Sequence, residues 1–427
     1  MNMRNYLVFA LLLTLLLVPA LCSCGSNEPV MDLTTSPVRS LGTVTLSTPV
    51  KPTPSMTPLA TATSIATRTP YNRVPEATGD GWQTASLAEA GIDPVYIGRM
   101  LAAIYHGPDS GDSLKMPSGN AKMENIHSIL IVRDGKLVFE EYFYQYDRNY
   151  THDTASATKS ILSLLVGLAI DQGFLSGVDE LVLPWFPDYA PVPQDTRMEQ
   201  MTIEDLLTMR HGLDCDDWLP GSRTYWRKDF EYKTKDVIAS VFSLPMETTP
   251  GSHFSYCSPA VDLLGGLLSR ATRTSVTQFA NQTLFHPLGI TARGFLMLPG
   301  GWPNASGNVY LTGREMAKIG QMVLQEGRWE GEQVVPEEWI RVSTREQLPL
   351  VFNTTWGKGY GYLWWLSDVP VGGSLVHSVC ASGAGGQVIT IFPDLQMVVV
   401  ITGGNYENDE GQPFQIMERY ILPAVLK

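Results

Sequence analysis

The chain has 427 residues, 44% of them hydrophobic, which is ample for a large core and a little long for one ordinary domain. A formal net charge of −13 argues against a broad nucleic-acid footprint. Five cysteines are too few and too scattered for a disulfide framework or a zinc site, and Cys215, Cys257 and Cys380 read as small buried apolar residues, since three cannot all pair.

The N-terminus carries Arg4 and then an apolar run from Tyr6 to Leu21, the pattern of a secretory signal peptide over residues 1–23. The run ends in Leu21-Cys22-Ser23-Cys24-Gly25, which resembles a bacterial lipobox, although Cys22 in its middle is atypical. That resemblance implies that Cys24 is lipidated and that the chain is held on the outer face of the cytoplasmic membrane. Plain cleavage and retention as a membrane anchor are the alternatives. Residues 24–75 read as a tether. Of residues 26–75, 25 are Ser, Thr or Pro, which leaves too little apolar surface to offset the entropy of ordering. Residues 1–75 hold five basic and two acidic side chains, so the remaining segment, 76–427, carries −13 − 3 = −16. An acidic domain is not drawn to anionic lipid by charge, so the anchor would have to do that.

The globular elements follow in order. Ser128–Phe143 alternates apolar and polar residues and turns at Asp134-Gly135, a hairpin signal. Thr151 opens a stretch that becomes the apolar run "ILSLLVGLAI", a buried helix with Ser156 at its start. Thr202 opens a short helix that stops at Gly212, and Thr312 with Glu315 three residues on forms a capping box. Gly357–Leu366 reads as a strand. Gly385–Gly404 is a second hairpin around Pro393-Asp394, and its continuous "MVVVIT" suits a strand buried on both faces. Residues 413–427 read as a closing amphipathic helix. The expected fold is therefore α+β: an antiparallel sheet built from both termini and flanked by helices, with a mostly helical insertion over about 165–310 and a cleft where the two meet.

Lys159 is the only lysine three residues after a serine. On a helix that spacing puts both side chains on one face. At a helix start, free backbone N–H groups favour a developing negative charge on Ser156. A lysine buried beside it loses hydration, so its neutral form is favoured and can take the serine proton. The plainer alternative is a solvated lysine next to a helix-capping serine. Tyr256-Cys257-Ser258 lies 100 residues after Ser156, between a Pro-Gly turn and another apolar helix, and Ala381-Ser382-Gly383 stands at the edge of a glycine-rich turn 127 residues after Tyr256.

Ser-x-x-Lys at a helix start, Tyr-x-polar on a loop and a small-residue strand edge, in that order, resemble the serine β-lactamase and penicillin-binding-protein superfamily. The resemblance runs from about residue 80 to the end. It is nearest to class C enzymes and their esterase relatives, and above all to the 6-aminohexanoate-dimer hydrolases, in which Tyr-x-Ser replaces Tyr-x-Asn. It implies Ser156 as nucleophile, Lys159 as its partner and Tyr256 as the second proton-transfer group. It implies Ser258 as the residue orienting Lys159 or the substrate, Gly383 as the third-motif glycine, and the N–H groups of Ser156 and Ala384 as the oxyanion hole. No metal or organic cofactor is implied.

Two departures matter. Ala381 stands where the superfamily carries Lys or His, the cation that holds a β-lactam carboxylate, and Ser258 stands where Asn is usual. An ester or open-chain amide therefore suits the site better than a penicillin. A true β-lactamase or D-Ala-D-Ala carboxypeptidase, and a non-catalytic penicillin-recognising module, are the other readings. Tyr406-Glu407-Asn408 matches Tyr-x-Asn by letters but falls after the third motif. His152 and Asp153 read as helix-entry polar residues, with a triad as the alternative. Asp214, Asp216 and Asp217 read as a solvated acidic loop, with a cation site as the alternative, and His377 is a candidate to reach the cleft.

Overall fold

The computed structural model describes residues 71–106, 125–189, 195–219, 233–291, 293–350, 357–406 and 411–426. The signal peptide, Cys24, the tether up to residue 70 and two residues of the Tyr406-Glu407-Asn408 triplet lie outside them. The tether boundary expected at 75 falls inside the packed chain. Tyr71 donates its N–H to the Pro94 carbonyl and its ring lies 4.8 Å from that of Phe139, while Arg73 pairs with Glu141.

A nine-stranded sheet organises the molecule. Its strands are β1 (Gln83–Thr84), β2 (Ile126–Arg133), β3 (Lys136–Tyr142), β4 (Leu348–Pro349), β5 (Gly359–Tyr360), β6 (Trp365–Val371), β7 (Ser374–Gly383), β8 (Gln387–Phe392) and β9 (Met397–Gly403). They lie in the order β1-β3-β2-β9-β8-β7-β6-β5-β4. All pairings are antiparallel except β1 with β3. The termini meet where β9 pairs with β2, Val399 opposite Ile131 and Ile401 opposite Ile129. Both expected hairpins form at the expected turns. The stretch read as one strand at 357–366 is instead β5, a turn through Leu363 (φ 62°) and the start of β6.

Every residue of β9 is buried, because both sheet faces are covered. On one face Leu130, Val132, Val398 and Val400 join a core with α2 (Thr158–Asp171), α3 (Ile203–Leu207), α4 (Ser258–Thr272) and α5 (Gly313–Leu324). On the other face Ile129, Ile131, Val399 and Ile401 pack with α1 (Pro94–His106) and the C-terminal helical segment Gln412–Val425. The period of two along each strand sends alternate residues to different cores. Thr312 and Glu315 complete the expected capping box of α5, and Thr202 with Asp205 makes another on α3. Among the described residues no helix is long and apolar enough to cross a membrane.

Candidate active site

Ser156 lies on a sharp elbow. His152–Asp153 pairs with Tyr310–Leu311, the chain makes a 3-10 turn over Ala155–Ala157, and α2 begins at Thr158. The helix therefore starts two residues later than expected, with Ser156 in the turn ahead of it. Ala155 has φ 45°, a left-handed conformation that costs an alanine on the order of 1–2 kcal/mol. Asp153 offsets this locally. Its carboxylate accepts the Ala155 N–H at 2.9 Å and the Asn308 side-chain amide at 2.5 Å.

Lys159 is 1% exposed although it is a lysine. Its Nζ donates to Ser156 Oγ at 3.0 Å and to the Ser306 carbonyl at 2.8 Å. The same Nζ lies 5.0 Å from the centroid of the Tyr256 ring. The buried helix face thus brings together the serine, the lysine and the tyrosine singled out by motif spacing, and the solvated-lysine alternative fails on burial.

Gly383 ends β7 directly against the elbow. A Cβ there would stand 2.2 Å from the Thr154 carbonyl oxygen and 2.9 Å from Ser156 N, so only glycine lets the strand approach. Ala384 follows it in the chain and is exposed. Ala381 is 1% exposed and belongs to the core on the α2 face. A cation substituted there would be buried.

Two expectations are corrected. First, Cys215 and Cys257 are disulfide-bonded, with Cα atoms 5.5 Å apart; Cys380 is free and buried. The pairing bridges 42 residues, whose two ends are held together by a bridge between Leu213 and Met246 and by the Gly212 carbonyl, which accepts from Glu247 and Thr248. Second, of the two roles expected of the Ser258 hydroxyl, orienting Lys159 or the substrate, the first is not seen. The hydroxyl is buried and has no hydrogen-bond partner among the described residues, and the Ser306 carbonyl makes the contact to the amine instead.

The acidic loop also has a different role from that of a solvated surface. Asp217 donates its N–H to the Tyr256 carbonyl at 2.8 Å and accepts the Ser258 N–H at 3.0 Å. Asp216 accepts from Trp218 N and from Ser255 Oγ. Trp218, half exposed, stacks flat on Tyr256 at 4.3 Å and 5°. Trp365 completes an aromatic wall, 5.7 Å from the Tyr256 ring.

Buried His211 braces the same loop. Its Nδ1 accepts the Leu213 N–H at 3.0 Å, so its Nε2 carries the proton given to the Ser255 carbonyl at 3.0 Å. Burial holds its pKa down at about 4. Sequence reasoning missed this histidine, because nothing local marks it.

The remaining candidates make other contacts. His152 is buried among the rings of His127, Tyr146 and Tyr150, and its Nε2 meets Thr402 Oγ1 at 3.3 Å. Burial lowers its pKa to about 4. His377 pairs with Asp368, six residues and therefore about 20 Å along β7 from Gly383. Among the described residues no cluster of three or more His, Cys, Asp or Glu side chains could hold a metal ion.

A Ser-Lys pair at a helix elbow, a tyrosine beside the lysine, and an antiparallel sheet strand ending in glycine against the serine define a β-lactamase-like hydrolase. The Beta-lactamase family model matches residues 127–418, and the chain belongs to that family. It is 23% identical over 285 residues to the 6-aminohexanoate-dimer hydrolase of Paenarthrobacter ureafaciens, covering 64% of this chain and 71% of that one. It is 31% identical over 153 residues to Esterase EstB of Burkholderia gladioli, covering 33% of this chain and 38% of the esterase. The fold is similar to that of a penicillin binding protein from Bacillus halodurans, with TM-score 0.54 and 14% identity, over 69% of this chain and 95% of the other.

Proposed function

We propose that the chain is an extracytoplasmic serine hydrolase that cleaves carboxylic esters or open-chain amides through an acyl-enzyme on Ser156. The observation that carries this reading is the contact of a fully buried amine, Lys159 Nζ, with Ser156 Oγ at 3.0 Å. Burial opposes the charged form of a lysine, so the amine is suited to accept the serine proton. Ser156 Oγ then bonds to the substrate carbonyl carbon. Lys159 or Tyr256 passes the proton to the departing alcohol or amine, and water later releases the acid and restores the serine. The N–H groups of Ser156 and Ala384 stabilise the oxyanion, a type of contact worth about 2.7–4 kcal/mol per donor.

The substrate side of the reading rests on Ala381. A β-lactam carboxylate entering this site meets a buried methyl group where the superfamily has a cation. A neutral ester bears no such penalty, and a lost charged contact costs about 1.5–3 kcal/mol. The names of two relatives, a 6-aminohexanoate-dimer hydrolase and an esterase, support the same choice. Cys24 is proposed to carry the lipid that holds the domain outside the membrane, and Cys24→Ala should leave the full-length chain unprocessed or released from bacterial membranes.

Fluorophosphonate labelling with peptide mapping tests the reaction. Label on Ser156, lost in Ser156→Ala, is the expected result, and label on another serine with Ser156 intact overturns it. On the same preparation, kcat/KM for a short-chain p-nitrophenyl ester should exceed that for nitrocefin. The reverse order would make the protein a β-lactamase, and turnover of neither would leave a binding module.

A further inference from the structure

Asp262 is a buried carboxylate that the acylation steps above do not use. It lies on α4 one turn beyond Ser258 and is 0% exposed. Its Oδ1 accepts the Ser306 N–H at 2.9 Å. The carbonyl of the same residue, also fully buried, accepts from Lys159 Nζ at 2.8 Å. One residue of backbone therefore has the carboxylate at its N–H and the lysine at its C=O.

The segment is seated on the helix by a second feature. Gly265, three residues after Asp262 and so on the same face of α4, faces Ala305. A Cβ on Gly265 would lie 2.3 Å from Ala305 Cβ. The helix thus offers a carboxylate to Ser306 and a gap to Ala305, and the segment packs closely against it at both points. A carboxylate held this far from water is costly without compensating partners. The Ser306 N–H is one such partner, and the ammonium formed when Lys159 takes the serine proton would be another.

We propose that Asp262 is a positioning residue for Lys159, anchoring Ser306 so that its carbonyl fixes the amine against Ser156 Oγ and supplying the buried counter-charge of the lysine. The inference rests on the reading of Ser156 and Lys159 as nucleophile and partner. Also facing the amine are Ser156 on its own elbow and the Tyr256 ring from the loop before α4, with Asp217 one contact further away at Ser258 N.

Asp262→Asn tests it, because the amide keeps the shape and an oxygen for Ser306 N but removes the charge. For a p-nitrophenyl ester, kcat should fall about tenfold, as expected for a less basic amine, with KM changed less than about twofold. The acid limb of kcat/KM should move about one pH unit lower, since a lysine without its counter-charge deprotonates more readily. The rate of fluorophosphonate labelling of Ser156 should follow the same limb. Gly265→Ala, which displaces Ala305 without altering charge, should slow labelling and leave the limb in place.

A merely structural Asp262 would lower the melting temperature of Asp262→Asn and leave kcat and the limb unmoved, which overturns the proposal while the nucleophile reading stands. If Ser156→Ala keeps full activity, the reading beneath the proposal fails, and the proposal with it.

Discussion

The two halves of the candidate site are held by different means. The elbow that carries Ser156 is fixed mainly by backbone, a strand pair at His152–Asp153 and Gly383 lying where a side chain could not, with one side-chain contact from the Asp153 carboxylate. The loop that carries Tyr256 is fixed by side chains: the Cys215–Cys257 disulfide, the Asp217 carboxylate and the neutral imidazole of His211. Backbone geometry is indifferent to redox state and, over most of the pH range, to protons. A disulfide and an imidazole are not. The nucleophile should therefore be robust and the tyrosine side of the site conditional on its surroundings.

The largest effect expected is at the elbow. Gly383→Ala puts a methyl group 2.2 Å from the Thr154 carbonyl oxygen, so the strand or the elbow must move by an ångström or more. Misplacement on that scale costs on the order of 10²-fold in rate. Ester hydrolysis and Ser156 labelling should both be lost. Labelling retained at the wild-type rate would show that the elbow tolerates displacement, and the contrast between the two halves would collapse.

Opening the disulfide should act on the other half alone. Cys215→Ala combined with Cys257→Ser keeps a capping group for Ala260 N, which the Cys257 sulfur now accepts at 3.2 Å. In the chain-entropy account, a crosslink across 42 residues stabilises by about 4 kcal/mol. The double variant should melt at a lower temperature and lose about tenfold in kcat, a change of ~1.4 kcal/mol in barrier, while fluorophosphonate still labels Ser156. If labelling and turnover fall together to nothing, the elbow also depends on the loop.

What the sequence disclosed follows the same division. Ser156, Lys159, Tyr256 and Gly383 were legible because each depends on local spacing or on an ordered motif, and the sheet because its hairpins turn at Asp134-Gly135 and Pro393-Asp394. The pairing of Cys215 with Cys257 was not, since it depends on residues 212–213 meeting 246–248, a long-range contact that no local pattern reports. His211 and the acidic loop were illegible for the same reason: Asp217 reads as a solvated carboxylate until the fold lays it against Ser258. The contact to Lys159 expected of Ser258 is made by the Ser306 carbonyl, and a carbonyl has no letter in the sequence. The strand β1 was missed because it is two residues long and gains its place only by pairing with β3.

The smallest effect expected is in pH. His211 and His152 are held neutral by burial, each with a pKa near 4, and His127 is held lower still, at about 3, by burial and by the neighbouring His152. Their unfolded value is about 6.5. Because the folded pKa values are depressed, the unfolded chain binds more protons between the two values, so stability is complete above about pH 6.5 and declines as pH falls towards 4. A tenfold difference in proton affinity between the folded and unfolded chain is worth about 1.4 kcal/mol per group at full expression. The Tyr256 loop should respond first, because protonating His211 Nδ1 removes the acceptor for Leu213 N–H. Melting temperature measured from pH 7 to pH 4.5 should fall, and His211→Gln, which cannot gain a charge, should flatten part of the slope. At pH 5, where most of the molecule remains folded, ester turnover should drop further than Ser156 labelling does. Equal losses of turnover and labelling would place the acid sensitivity at the elbow, on Lys159 first and then on the His127 and His152 rings beside it.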